Sequence, residues 1–580
     1  MKFKYFGSIV IALTAIFFLG SCKKFLDINR DPNNIPTGNA PIAQELTAAQ
    51  VNLAFEGGSD LFRYAALIMQ QISGEASNPN QTWAYYRYII SGTDVNNAWG
   101  AAFAAANGTA GTLKDLEIII KTAVENGSPY YSGICKILKA YEYSLAVDAW
   151  GNIPFSEAEQ LDANTSPHYD DASTIYPKLI TLLTDGVADL NQPSSLLTPG
   201  TNSMFYTNAN FATAKTQWIK LANTLKFRLL LHYSKKDPAS TVSQITALIN
   251  SSASFFASNA DNLQMTFNDA ANQRNPIAQF EVSRANYLYA DSFMVTLMNS
   301  KNDPRRAFYF TSFPYQNVSL PFALSTSAAS AGTTLTFGST STSSASVVVG
   351  LGVTGVNVVP GTTVTTVTAT TVTLSSALLN TGAASGATIV FSPSKFKGVP
   401  NTNPNGVNAN SNYSRIHTFL RGTVTAGSAP PFTYSGAAPQ RMFSFAEYNF
   451  IRAEAALMGA PGDPQAFFTA GITASMQEVG VNAVAIADYL LYNGTLSGTT
   501  AQKLKQIVEE KYVALFGVSM ESWSDYRRTG YPVITPPADK NPQVTAVPRS
   551  LLYPQNEVDR NTNFPGQKPA DMQTKVFWDN

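Results

Sequence analysis

Cysteine, histidine and charge are scarce in this chain of 580 residues, and each scarcity closes off a class of protein. The two cysteines, Cys22 and Cys135, cannot supply a disulfide framework, so the fold must rest on its core. The three histidines, His168, His232 and His417, stand far apart, and none has a second ligand two to four residues on. Zinc sites show that spacing, so no metal centre is expected. Charged residues make up 13% of the chain, and 39 basic side chains balance 39 acidic ones. That composition, about half the usual charge, lacks the basic excess that a nucleic-acid partner requires. GxSxG, HExxH, Walker phosphate loop and CxxC are all absent, so neither a cofactor nor a motif-borne catalytic site is expected. A glycosidase needs only two carboxylates placed by the fold, which keeps a surface-anchored glycoside hydrolase as a competing class.

Long apolar runs are missing too. The longest, from about Ser8 to Leu19, is too short to span a bilayer and follows Lys2 and Lys4, as in a signal peptide. It closes on Leu19-Gly20-Ser21-Cys22, small residues before a cysteine, which resembles the bacterial lipobox. Residues 1–21 are therefore expected to be removed, Cys22 to carry the lipid, and 22–40 to form a tether. Several acyl chains make a stable membrane anchor where one does not. The tether's Asp27, Asn29 and Asp31 imitate a calcium loop, but Pro32 stands where glycine is needed, so a capped turn is expected.

Helical periodicity dominates from about Pro41 to Lys236. Trp218, Leu221, Ala222, Leu225 and Leu229 fall at steps of three and four. Tyr141, Leu145 and Ala149 do the same before Gly151 and Pro154. The pattern returns at Phe445, Tyr448, Arg452, Ala455 and Ala456, and again at Leu504, Val508, Lys511 and Leu515. Such pairs suggest tetratricopeptide-like hairpins and a mainly α fold. Cys135, within Ile134 to Leu138, reads as a small buried hydrophobe, and the adjacent pairs Asp170-Asp171 and Glu509-Glu510 as solvated. His232 is expected to pack or to bond a carbonyl.

One stretch breaks the composition. From Ala307 to Ser394, roughly 88 residues carry no Asp, Glu, Lys or Arg, where the chain-wide fraction predicts about 11. Inside it the runs at 347–349, 358–359, 363–365, 371–374 and 389–391 are β-branched and separated by Gly, Pro and Asn. They predict a small all-β module from about Gly332 to Ser392. Gly350 to Gly355 matches GxGxxG, but no helix can start after it, so a turn is expected there instead of a dinucleotide site. The division that results is a helical domain of residues 41–316 and 395–580 interrupted by a β-rich module at 317–394.

Aromatic residues carry the remaining chemistry. Trp83, Tyr85 and Tyr86 follow a loop composition ending in Asn80, Tyr287 and Tyr289 alternate in another such region, and Phe313-Pro314-Tyr315 is a third. Exposed rings beside amides are what saccharide or peptide binding needs. Trp83, Tyr85, Tyr86, Asn80, Tyr287 and Tyr289 are accordingly the expected ligand contacts.

Taken in order, several segments resemble one family, the SusD and RagB outer-membrane lipoproteins of Bacteroidota. They are Cys22 to Asn29 with Asp31-Pro32-Asn33-Asn34, then Asp148-Ala149-Trp150-Gly151-Asn152-Ile153-Pro154-Phe155, Trp218 to Leu231, and Asp303-Pro304-Arg305. Trp523 to Gly530, Pro548-Arg549, Leu552-Tyr553-Pro554 and Glu557 complete the set. The chain departs from the pattern in the segment inserted after Asp303-Pro304-Arg305 and in Lys23 and Lys24, basic where the surface-export signal is acidic. The resemblance implies a fold of four tetratricopeptide-like hairpins and a lipid-anchored protein facing the cell exterior. It also implies capture of oligosaccharides or oligopeptides as the lid of a SusC-like, TonB-dependent transporter, a binding role and not an enzymatic one. An adhesin that works through the β module is the third class.

Overall fold

The spacing of Trp218, Leu221, Ala222, Leu225 and Leu229 becomes the buried face of the helix Phe211–His232, which Asn210 caps by accepting from the Ala212 N–H. The structure is a computed structural model that describes residues 41–580 apart from 75–79, 104–110, 161–162, 286 and 402–411. The expected signal peptide, Cys22 and the tether to residue 40 lie outside the described residues.

Helices packed as hairpins form most of the molecule. Thr112–Glu125 turns onto Pro129–Trp150, which packs along Ala172–Leu190. Gly133 and Gly186 let the latter two close up: a Cβ on Gly133 would lie 2.7 Å from the Gly186 carbonyl oxygen, and one on Gly186 would lie 2.9 Å from that of Gly133. Pro129–Trp150 stops at Gly151, whose φ of +79° suits glycine. Late in the chain Phe445–Leu457 pairs with Pro464–Val479, followed by Ala483–Asn493, Thr500–Ala514 and Ser519–Thr529. The fold is mainly α, as the periodicity predicts, and Cys135 is buried in its core with its thiol pKa pushed up by burial.

Between these helices lies a buried ionic network. Lys511 Nζ donates to Glu521 at 2.9 Å and approaches Asp525 at 2.8 Å, while Arg528 reaches Glu454 at 2.8 Å and Asp525 at 2.8 Å. His232 joins it through Glu521, 3.2 Å from Nε2, and the Tyr176 hydroxyl, 2.8 Å from Nδ1, bonding side chains in place of the expected carbonyl. Glu510 corrects another expectation, since it is fully buried and not solvated. Arg305 donates to it at 2.8 Å and Lys301 at 2.7 Å, and together they hold its pKa down to about 2 against the upward push of burial.

The charge-free stretch folds as an inserted all-β module of two three-stranded antiparallel sheets. Thr388–Ser392 lies between Phe322–Ser325 and Gly352–Gly355, and Thr371–Leu374 lies between Thr334–Thr336 and Val364–Val367. Leu335, Leu351, Val364, Val372, Ile389 and Phe391 give it a core of its own. Its first strand precedes the expected start at Gly332, and residues 347–349 and 358–359 form turns and loops, not strands. Gly350 does turn, at φ +90°, but the last four residues of the GxGxxG segment, Gly352–Gly355, are strand. Phe322 pairs with Phe391, which brings entry and exit side by side. Gln316 clasps the junction: its Oε1 accepts from the backbone N–H of Ser394 at 2.8 Å and of Lys395 at 3.0 Å, and its Nε2 donates to the Gly350 carbonyl at 2.6 Å.

Candidate functional site

Asn80 ends a loop by capping a helix. Its Oδ1 accepts from the Trp83 backbone N–H at 3.0 Å and from the Thr82 hydroxyl at 2.7 Å, which starts the short helix Gln81–Tyr86. In a helix, Thr82, Tyr85 and Tyr86 share one face, and here that face is the core. Tyr85 and Tyr86 are 1% and 2% exposed. Tyr86 donates to Asp291 Oδ2 at 2.8 Å, and Tyr85 to Asp94 at 3.1 Å. Tyr289 is also fully buried, in a strand pair with Ser73. The expectation that these three rings face solvent is therefore corrected: helical phase and strand pairing turn them inward. Asn80, Trp83 and Tyr287 remain half-buried. Arg87 sits 4.7 Å from the Trp83 ring centroid, and the Tyr287 carbonyl lies 2.7 Å from the Thr82 hydroxyl as the alternative acceptor to Asn80, which places the two segments side by side.

An open groove of about 280 Å³ lies over the same strand. Residues 310–313 are laced between two neighbours, with the Thr311 N–H donating to the Arg415 carbonyl at 2.9 Å and the Phe313 N–H to the Lys395 carbonyl at 2.8 Å. The Tyr289 backbone bridges that of Arg415, and Tyr413 packs against the buried Tyr289. Phe313, Pro314, Tyr315, Tyr413, Pro430 and Pro431 line the groove with flat apolar faces, and Thr311, Ser312 and Arg415 add hydrogen-bonding groups. Tyr315 is braced by the edge of Phe432 at 5.7 Å, and Lys397 Nζ lies 4.8 Å from the Tyr413 ring centroid. The Arg415 guanidinium lies 5.3 Å from the Tyr289 ring centroid and 3.6 Å from Glu281, a buried carboxyl whose pKa burial raises while Arg421 and Arg415 oppose the rise. Its Nε is a buried donor with no partner among the described residues.

Sequence reasoning reached Tyr315 as part of an aromatic segment but missed Tyr413 and Arg415. The groove is assembled from residues 311–315, 413–415 and 429–431, the first about a hundred residues before the other two, and no local spacing announces it. Shifted carboxyls elsewhere do not make a rival site. The cavity beside Asp148, Arg228 and Glu521 measures about 30 Å³, room for roughly one water, so no substrate reaches that network.

The architecture is thus a scaffold of helical hairpins whose long connections carry an open, ring-lined groove. The chain belongs to the SusD-like family described as "Starch-binding associating with outer membrane", whose model matches residues 32–324 and 393–554. Among solved structures it is similar to a chitin-binding protein, at 22% identity and a TM-score of 0.64, with 93% of this chain and 100% of that one covered. It is also similar to a SusD homolog from Bacteroides uniformis (20%, TM-score 0.61, 92% and 99% covered). A chitin-binding SusD homolog from Flavobacterium johnsoniae is likewise similar (18%, TM-score 0.59, 92% and 98% covered). No curated protein matches the sequence. The gap between the two matched segments, 325–392, falls within the β module. No helix among the described residues is long and apolar enough to cross a membrane.

Proposed function

We propose that this protein is a lipid-anchored glycan-capturing lipoprotein of the outer membrane. It binds oligosaccharides in the groove around Tyr315 and Tyr413 and serves as the lid of a SusC-like, TonB-dependent transporter. The observation that carries the reading is the groove itself, in a chain of a starch-binding, outer-membrane family. Tyrosine and proline faces stack on the apolar face of a pyranose, while hydroxyls and a guanidinium take its polar edge. Such a site binds without turnover, and Asn80, Trp83 and Tyr287 are proposed to extend it toward the segment that leads into the strand Tyr289–Ala290. Two or three ring contacts at about 0.5–1.5 kcal/mol each plus hydrogen bonds correspond to affinity nearer millimolar than nanomolar. A tethered lid tolerates weak capture, because closure holds the ligand at high effective concentration. Calorimetry of the mature chain with maltohexaose and chitohexaose tests this. Saturable binding abolished in a Tyr315→Ala/Tyr413→Ala variant supports it, release of shorter sugars would favour a hydrolase, and no binding by either sugar would overturn the glycan reading. One observation favours a second ligand class: the Arg415 guanidinium on the groove wall can pair with a carboxylate, so an oligopeptide belongs in the same titration.

A further inference from the structure

Where the inserted module meets the helical body, a crevice of about 150 Å³ opens between Thr354 and Pro360 on the module side and Lys301, Asn302, Asp488 and Tyr492 on the body side. Both module residues fall in the stretch that the family model leaves unmatched, so the insertion builds that wall. The turn at Gly361, with φ +78°, lets the chain approach closely enough that a Cβ there would lie 3.7 Å from the Asn302 side-chain amide.

The crevice has the makings of a polyol site. Lys301 is already neutralised by Glu510 at 2.7 Å, which leaves Asp488 as the unopposed charge. Its carboxylate lines the crevice half-buried, with no hydrogen-bond donor among the described residues, and burial raises its pKa to about 6. A partly desolvated acceptor without donors is costly until something supplies them. Beside it the Tyr492 ring is 48% exposed and makes no hydrogen bond among the described residues. The volume equals about five waters at roughly 30 Å³ each, the bulk of one sugar ring. A metal ion fits poorly, because no group of three His, Cys, Asp or Glu gathers among the described residues.

We propose that this crevice is a second saccharide subsite, in which Asp488 accepts two hydroxyls of a neutral pyranose whose apolar face lies on Tyr492 while the module forms the opposite wall. The proposal rests on the glycan reading of the chain but concerns a place remote in sequence from Tyr413. A test that separates the two uses a single fluorotyrosine at position 492 or at position 413, followed by 19F NMR during titration of the mature chain with maltohexaose or chitohexaose. Resonances at both positions are expected to shift. Asp488→Asn should weaken the response at 492 roughly tenfold and leave that at 413 intact. A shift at 413 alone overturns the crevice and leaves the groove standing, and a shift at 492 alone does the reverse. A shift at 492 that survives Asp488→Asn, or that calcium chloride alone reproduces, also overturns it, and silence at both positions overturns both readings.

Discussion

Tyr413 and Tyr86 are both tyrosines near one strand, yet the structure gives them opposite roles. Tyr413 is half-exposed over the groove, so Tyr413→Ala should weaken oligosaccharide binding about tenfold, the value of one ring contact near 1.4 kcal/mol, with the melting temperature nearly unchanged. Tyr86→Phe should leave binding intact and lower stability by about 1–2 kcal/mol, since the buried Asp291 loses a donor at 2.8 Å. Denaturant melts beside calorimetry distinguish them. The sequence already held the warning that Tyr85 and Tyr86 are core: Thr82, Tyr85 and Tyr86 recur at the three-and-four spacing of a buried helix face, and Asn80 is a cap residue. Nothing comparable flagged Tyr413, whose position depends on strand pairing with a distant segment. Glu56 and Glu142 were silent for the same reason. They form a buried carboxyl pair whose oxygens Glu56 Oε1, Glu56 Oε2 and Glu142 Oε2 have no hydrogen-bond partner among the described residues; burial raises both, and Glu142 is pushed up to about 7. A carboxyl whose pKa is higher folded than unfolded contributes stability that is fully present below about pH 4 and lost as pH rises through 7. Melting temperature should therefore fall between pH 5 and 8 through this pair. Glu142→Gln should flatten that fall and raise the melting temperature at pH 8; an unchanged slope would show that the pair does not titrate there.

At the scale of elements, periodicity and composition made the helices and the module legible, while their borders were not. Trp218 to Leu229 fixed a helix face because burial repeats every turn. The strands Phe322–Ser325 and Gly352–Gly355 escaped notice because each is four residues long and gains its meaning from pairing with Thr388–Ser392. The pairing of Phe322 with Phe391 and the clasp by Gln316 set the ends of the module side by side, so joining residue 316 to 395 through a short linker should leave the body folded. The module's core is its own, and the body gives up few groups. His417 is one: buried, its pKa pushed down to about 4, it lies 3.2 Å from the Ser319 carbonyl, and removing that acceptor leaves an imidazole N–H unsatisfied. A cost of about 1–3 kcal/mol is expected from that loss, a fall in melting temperature of a few degrees. Calorimetric melting of the deletion variant checks this, and loss of soluble protein would show that the helix Ala483–Asn493 depends on the module packed against it.

For the whole molecule, the decisive feature is where it is held. Under the proposed function, capture at a groove of modest affinity is useful only if the protein stays beside the channel that takes the ligand in, since tethering raises local concentration in place of tighter contacts. The proposed anchor is Cys22 after Leu19-Gly20-Ser21. Cys22→Ser removes the thiol that, on this proposal, forms the thioether to diacylglycerol. Without that bond, cleavage before residue 22 should not occur, and the precursor should keep the apolar run that begins near Ser8. In membrane fractions the wild-type chain should appear as a mature form whose N-terminal peptide carries the lipid mass on Cys22, while the variant should accumulate as a heavier precursor or appear in the soluble fraction. Orientation can be read in the same cells: protease added outside should cleave the wild-type chain if it faces the exterior, a test made pointed by Lys23 and Lys24, which give the start of the tether the charge opposite to an acidic export signal. A mature wild-type N-terminus found elsewhere, unmodified, would remove the anchor and with it the physical reason that weak binding suffices.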